Sequence, residues 1–256
     1  MIKRTGLTRI DLVVAVACAG FVLANAPVIV AGGRGRAKLE VCMANLRALT
    51  AAWSMYADSN GDKIVNGAAG TPRPGEPAWV GKCWNDGYME GKLLPVADQI
   101  EAIKAGALWP YLKNIGLYKC PSGYRGEMLT YSITDAMNGY PRNATKDLVI
   151  KSRTQIPRPQ DRMVFVDEGW ATPDSYAVFY NTERWWDSPP VRHGDGATFS
   201  FADGHSEYWK WSQETVDIGK HLQNNANPVT PDGKEDLYRV QKAVWGKLGY
   251  TPSVPP

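Results

Sequence analysis

The side chains best suited to chemistry stand between residues 167 and 205 of this 256-residue chain. They are carboxylates and imidazoles, which metal ions accept as ligands. The candidates are Asp167, Glu168, His193, Asp195, Asp203 and His205. One interpretation is a metal site. The other is structural, because Asp203 can make a turn, His205 can open a strand and His193 can hydrogen-bond a loop backbone.

Cysteines offer a second kind of chemistry. Cys83 and Cys120 stand in the loop-like stretches GKCWNDG and YKCPSG, whereas Cys18 falls in an apolar run and Cys42 on a helix face. An oxidising compartment would allow Cys83 and Cys120 to form a disulfide, although sequence does not set connectivity. Neither a CxxC pair nor a Cys/His zinc spacing is present, and no nucleophile elbow or Ser-His-acid order appears. We therefore expect no catalytic residues and no enzyme.

Tryptophan is abundant, with ten in the chain. Trp185 and Trp186 lie side by side in the Pro-flanked stretch RWWDSPP. Indole rings with a polar edge suit contacts with a glycan or a protein partner, although burial is their default. The pair is therefore a candidate binding surface.

Composition narrows the class of protein. Hydrophobic residues make up 44% and charged residues 21%, which suits a buried core. The formal charge of +3 is spread along the chain and forms no basic block. We therefore expect no nucleic-acid partner.

The N-terminus contains an apolar run from Leu12 to Ala31, long enough to cross a hydrocarbon core of about 30 Å as a helix. A cleaved secretory signal is one interpretation, with Ala24-Asn25-Ala26 as a small-residue site. A plain membrane anchor is a second. Neither explains why Asp11 stands at the start of the run, where an unpaired carboxylate is costly.

The periodicity of apolar residues predicts the elements that must position these side chains. After breaks at Gly32-Gly33 and Gly35, apolar residues recur every three or four positions from Leu39 to Tyr56. This spacing predicts an amphipathic helix that ends near Ala57. A short helix should end near Gly106, and MVFVDE and SYAVFYN read as strands. Two alternating runs flank Asp203-Gly204, which predicts a hairpin with a type I′ turn.

The tail contributes one more predicted element. Between Pro231 and Tyr250 the apolar residues fall on one side of a helix. Together these elements predict an α+β fold, in which a long N-terminal helix, with a membrane half and an amphipathic half, packs on a small antiparallel-sheet head.

The start of the chain resembles the type IV prepilin signal of pilins and pseudopilins. The stretch KRTG, followed by LTRIDLVVAV, is a short basic leader ending in Gly, with an acid at the fifth place after it. The resemblance implies that a prepilin peptidase cuts after Gly6 and methylates Leu7. It also implies that Asp11 neutralises the N-terminal amine of a neighbouring subunit during filament assembly.

The resemblance extends to about Trp211. GALWPYL, YKCPSG, YSITDAMNGY, RPQDRMVFVDE and the spacing H-x9-DG from His193 to Asp203-Gly204 are similar to a large pseudopilin-like family. It implies a leader at 1–6, a transmembrane or filament-core helix at 7–31, and a pilin-like head at 32–256. Related major pseudopilins bind calcium through oxygen ligands in their C-terminal region, so calcium is the candidate ion for the six candidate ligands named above, with a transition metal as the alternative.

The implied function is that of a structural subunit of a type IV pilus-like filament or a type II secretion pseudopilus. Its partners would be identical subunits, other pseudopilins, the prepilin peptidase and the inner membrane. The head of this single-pass protein would lie in the periplasm or at the cell surface. The alternative is a membrane-anchored, non-polymerising binding protein whose aromatic loop holds a glycan or a secreted protein.

Overall fold

The computed structural model describes the backbone of residues 9–85, 93–169 and 174–255, and the side chains of residues 33–85, 93–169 and 174–255. These residues form an α+β fold with a long N-terminal helix and a four-stranded antiparallel sheet, as predicted. The helices are α1 (Arg9–Ser59), α2 (Val96–Lys104), α3 (Trp109–Leu112), α4 (Gln213–Lys220) and α5 (Pro231–Trp245). The strands are β1 (Tyr131–Ile133), β2 (Met163–Asp167), β3 (Gly196–Phe201) and β4 (Ser206–Lys210).

The chain divides into two units, Met1–Ala37 and Lys38–Pro256. The predicted cleavage and methylation positions, Gly6 and Leu7, lie outside the described residues, and so does the side chain of Asp11. The predicted span at 7–31 also falls where no side chains are described. Within the described residues, no helix is both long and apolar enough to cross a membrane.

The second half of α1 forms one side of the core. Its buried stripe repeats every three or four residues through Cys42, Leu46, Leu49 and Trp53, all with no exposed surface. The helix ends at Ser59, two residues beyond the predicted end, and the chain then turns at positive φ. The prediction that the helix breaks at the glycines 32, 33 and 35 was wrong, since α1 continues through them.

The sheet follows chain order, β1-β2-β3-β4, and every neighbouring pair is antiparallel. Successive side chains of a strand point to opposite faces. On β3, Thr198 and Ser200 hydrogen-bond to side chains of α1, whereas Phe199 packs in a second cluster with residues of α5. The sheet therefore lies between the second half of α1 and the C-terminal helix.

The predicted hairpin is confirmed, but its turn is different. β3 and β4 pair in register, and only Gly204 of the predicted turn pair has positive φ. The Phe201 amide donates to the His205 carbonyl at 3.0 Å, and the Gly204 amide donates to the Phe201 carbonyl at 2.9 Å. The last paired residues are Phe201 and His205, so three residues lie between the strands, whereas a type I′ turn has two. Gly204 is the one loop residue with positive φ.

Of the remaining predictions, the short helix ending near Gly106, the MVFVDE strand and the tail helix are confirmed. Thr230 caps α5 through its hydroxyl, which accepts from the Gly233 amide at 3.1 Å, and Gly246 ends it at a φ of 82°. The prediction of a strand at SYAVFYN was wrong. That segment makes only isolated bridges, one from Tyr176 to Thr134 just after β1 and one from Val178 to Trp185, and the pairing is too short to form a strand.

Gly196, at the start of β3, is required by a close approach of backbone. A Cβ atom there would lie 2.2 Å from the Trp209 carbonyl oxygen and 2.6 Å from the Tyr208 hydroxyl. We expect Gly196→Ala to lower the free energy of unfolding by about 1–3 kcal/mol, measured by urea denaturation. Gly116→Ala, at an exposed position where the nearest atom is 3.2 Å away, is the control. Equal losses for the two variants would contradict this reason.

Candidate functional site

Four side chains from four separate segments meet inside the molecule. They belong to Cys42, Cys120, Asp167 and His193, and one potential ligand atom of each lies within 4.8 Å of the others. Cys42, Cys120 and Asp167 have no exposed surface, and the His193 side chain is 1% exposed. This group, the four-residue cluster, is therefore shielded from solvent.

Helix and sheet supply two members of the cluster. Cys42 begins the buried stripe of α1, so its thiol faces the sheet. Asp167 is the last residue of β2 and is paired with Tyr131 of β1. A carboxylate at the end of a buried strand thus meets a thiol on the helix that covers it.

Loops supply the other two members. Cys120 follows a short 3₁₀ helix (Ile115–Tyr118) and starts a turn in which the Gly123 amide donates to its carbonyl at 2.9 Å. His193 has a φ of 47°, in the left-handed region, and its carbonyl accepts from the Tyr208 hydroxyl at 3.2 Å. That conformation is uncommon for a residue with a side chain. Here it accompanies an imidazole that is turned into the core.

The cluster is connected by short contacts. Cys120 Sγ lies 3.2 Å from His193 Nε2, and Cys42 Sγ lies 3.2 Å from Asp167 Oδ2. His193 Nε2 and Asp167 Oδ2 are 3.5 Å apart. The second Asp167 oxygen, Oδ1, is buried and has no hydrogen-bond partner among the described residues.

Further polar groups surround the two sulfur atoms. The Tyr131 hydroxyl donates to Cys42 Sγ at 3.3 Å, and the Thr198 hydroxyl lies 3.1 Å from the same atom. The Ser122 amide donates to Cys120 Sγ at 3.3 Å. Both sulfur positions therefore receive donors of the kind that stabilise a thiolate.

The surroundings shift the pKa values of the two cysteine thiols in opposite directions. Burial raises the pKa of the Cys42 thiol far above its ordinary value. Hydrogen bonds from Cys42 and then His193 outweigh burial at Cys120 and lower its pKa to about 7. Burial disfavours the imidazolium of His193, but hydrogen bonds with Asp167 and Cys120 raise its pKa to about 9. The cluster therefore favours one thiolate and one imidazolium beside the carboxylate.

The six predicted metal ligands are not brought together. Only Asp167 and His193 enter the cluster. Glu168 is buried and accepts from the Ser132 hydroxyl, and Asp195 makes an exposed ion pair with Lys220. The hairpin residues Asp203 and His205 pair with each other at 2.6 Å.

The predicted disulfide between Cys83 and Cys120 is absent, and the structure has both as free thiols. Cys83 Sγ faces the carbonyl oxygens of Gly81 and Gln99, each at 3.7 Å, whereas Cys120 faces His193. Sequence reasoning also missed Cys42 as a site residue. Its signal was available, because Cys42 stands on the predicted apolar face of the second half of α1. The residues that face it in the fold could not be read from the chain.

The predicted aromatic binding surface is corrected for Trp185. Its side chain has no exposed surface and packs edge-on against Trp211, with ring centroids 6.4 Å apart. Trp186 is half-buried, lies 4.7 Å from the Phe179 ring and carries the Arg142 guanidinium over its face at 4.6 Å. Both indoles therefore take part in packing within the head.

Comparison of the chain with family models, with curated proteins and with solved structures finds no match in any of the three.

Proposed function

We propose that the chain is a structural subunit of a type IV pilus-like filament or a type II secretion pseudopilus. The observation that carries the proposal is α1. A prepilin-like start leads into a helix of 51 residues, and the part of this helix from Lys38 onward forms one side of a head built on an antiparallel sheet. A subunit that assembles through an N-terminal helix and displays a folded head needs this arrangement.

The charge at the start of the helix supports the same proposal. Asp11 precedes the apolar run, and removal of a leader ending at Gly6 would expose a new amine at Leu7. Two opposite charges that neutralise each other cost far less in an apolar surrounding than either charge alone. A neighbouring subunit would supply the amine, and this pairing would fix the axial stagger between subunits.

The processing step tests the pathway. The full-length protein is extracted from membranes of cells with and without a prepilin peptidase, and its intact mass and N-terminal sequence are measured. We expect a chain that starts at a methylated Leu7 only when the peptidase is present. A chain that starts at Met1 in both samples would overturn the proposal and leave a plain anchor.

Assembly depends on the charge of Asp11. We expect Asp11→Ala to reduce the amount of the protein in sheared filament fractions at least about tenfold, since a buried unpaired charge costs several kcal/mol. Asp11→Glu keeps the charge and is the matched control, which should retain assembly. Filament yields that are the same for Asp11→Ala and the unchanged protein would refute the role given to this carboxylate.

A further inference from the structure

We propose that Cys42, Cys120, Asp167 and His193 bind one structural zinc ion that fastens α1 to the sheet and to two loops. The inference goes beyond the proposed filament function and does not depend on it. It rests on the donor set, the spacing of the donors, an unpaired buried oxygen and the closure of the site.

The donor set selects the ion. Two sulfur atoms, one imidazole nitrogen and one carboxylate oxygen are ligands typical of zinc. Calcium takes six to eight oxygen ligands, and this site offers one carboxylate and two sulfur atoms. The calcium expected by resemblance therefore does not fit the four-residue cluster.

Three of the six distances between donor atoms are close to those of a tetrahedral zinc site, and all six are within 4.8 Å. Zinc bonds of about 2.0–2.3 Å place neighbouring ligand atoms roughly 3.3–3.8 Å apart. The nitrogen–sulfur, sulfur–oxygen and nitrogen–oxygen contacts in the cluster measure 3.2, 3.2 and 3.5 Å. The ligand atoms would have to move apart by only a few tenths of an ångström along these three edges.

The protein satisfies only one of the two oxygens of the Asp167 carboxylate, Oδ2, which faces Cys42 and His193. Asp167 Oδ1 is buried and has no hydrogen-bond partner among the described residues, and an orphaned buried acceptor costs about 1–3 kcal/mol. Both sulfur atoms already receive hydroxyl or amide donors. Such outer donors orient and stabilise metal-bound thiolates.

The four ligands leave no position for water. All are at most 1% exposed at their side chains, so the site is closed, as structural zinc sites are. Cys42 and Asp167 are 125 residues apart in the chain. A cross-link between such distant positions removes freedom from the unfolded chain, so the ion would stabilise the head.

The experiment uses the full-length protein, purified in mild detergent through a tag without histidines and without chelators. Elemental analysis should find about one zinc per chain. Replacement of zinc by cobalt should produce the intense visible absorption of tetrahedral cobalt bound to thiolates. A zinc content below about 0.2 per chain, or iron or copper at full occupancy, would overturn the proposal.

Variants locate the ion. Cys120→Ser and His193→Ala should each lower the zinc content at least about tenfold and abolish the cobalt thiolate absorption, whereas Cys83→Ser should leave both unchanged. Cys83 is the matched control because it is also a buried free thiol and lies outside the cluster. Zinc retained by Cys120→Ser, or lost by Cys83→Ser, would refute the assignment.

The main rival is a disulfide between the two cluster cysteines, which an oxidising compartment would allow. Intact mass measured without reductant distinguishes the two, because a disulfide removes two hydrogen atoms from the chain. This measurement and the zinc content of the unchanged protein need no variant, so they decide the question even where a variant fails to fold. A chain with the disulfide would overturn the proposal.

Discussion

Arg142→Met is expected to lower the free energy of unfolding at pH 8 by about 3–5 kcal/mol. The Arg142 guanidinium donates to Asp135 Oδ2 at 2.8 Å and to Asp174 Oδ1 at 3.1 Å. The side chains of Arg142, Asp135 and Asp174 are 16%, 1% and 14% exposed, so water can replace the lost partner only in part, and least at Asp135. The variant would leave the buried carboxylate of Asp135 and the half-buried carboxylate of Asp174 without their cation.

The loss should depend on pH in a defined direction. Burial raises the pKa of Asp135 to about 7, although Arg142 and Ser175 act in the opposite direction, and burial raises the pKa of Asp187 nearby to about 7 as well. The unfolded chain releases these protons near pH 3.9. Between about pH 4 and pH 7 the folded state therefore binds more protons, and the contribution of these carboxyls to stability falls as pH rises.

The free energy of unfolding of Arg142→Met should fall with rising pH more steeply than that of the unchanged protein. At pH 5 a protonated Asp135 carries no charge that needs a partner, so Arg142→Met should cost clearly less there than at pH 8. The measurement is urea unfolding of the full-length protein in detergent at the two pH values, followed by pulse proteolysis. A loss of the same size at both values would contradict the charge argument.

Two further variants separate charge from packing. Arg158→Met breaks an exposed ion pair with Asp161, whose side chains are 68% and 51% exposed, and should cost less than about 1 kcal/mol. Asp135→Asn added to Arg142→Met should recover part of the loss, since the amide needs no cation. Failure of this rescue would place the loss in the packing of Arg142 against Trp186 instead.

Local sequence patterns predicted the elements whose signals are local. The spacing of Leu46, Leu49 and Trp53 identified the helix face that is buried, and Asp203-Gly204 identified the hairpin. In these cases neighbours in the chain are neighbours in space. The type of turn was wrong because it depends on where the ladder of β3 and β4 ends, which is a property of the paired strands.

The four-residue cluster shows why the site was only partly predictable. Asp167 and His193 were candidates because of their residue types, but Cys42 lies 125 residues from Asp167 and shares no local motif with it. Only the packing of α1 on the sheet brings them together. The same packing explains Trp185, whose sequence neighbours suggest a loop surface but whose ring is covered by Trp211.

Trp53→Ala is expected to lower the free energy of unfolding by about 3–5 kcal/mol, because it removes the largest side chain of the α1 stripe from the core. The indole has no exposed surface, and its Nε1 has no hydrogen-bond partner among the described residues. The loss should therefore come from packing and not from a broken hydrogen bond. The cavity would lie in the hydrophobic cluster that Trp53 shares with Phe165 of β2.

A graded series tests this explanation. Trp53→Phe keeps an aromatic ring and should lose less than Trp53→Ala, and Met55→Ala, at a side chain 49% exposed on the same helix, should change stability by no more than about 0.5 kcal/mol. Pulse proteolysis in urea, with the full-length protein in detergent, measures all three. Because Trp53 lies in the head and far along α1 from Leu7, Trp53→Ala should still be processed after Gly6. Equal unfolding midpoints for Trp53→Ala and Met55→Ala would mean that α1 does not stabilise the head through this stripe.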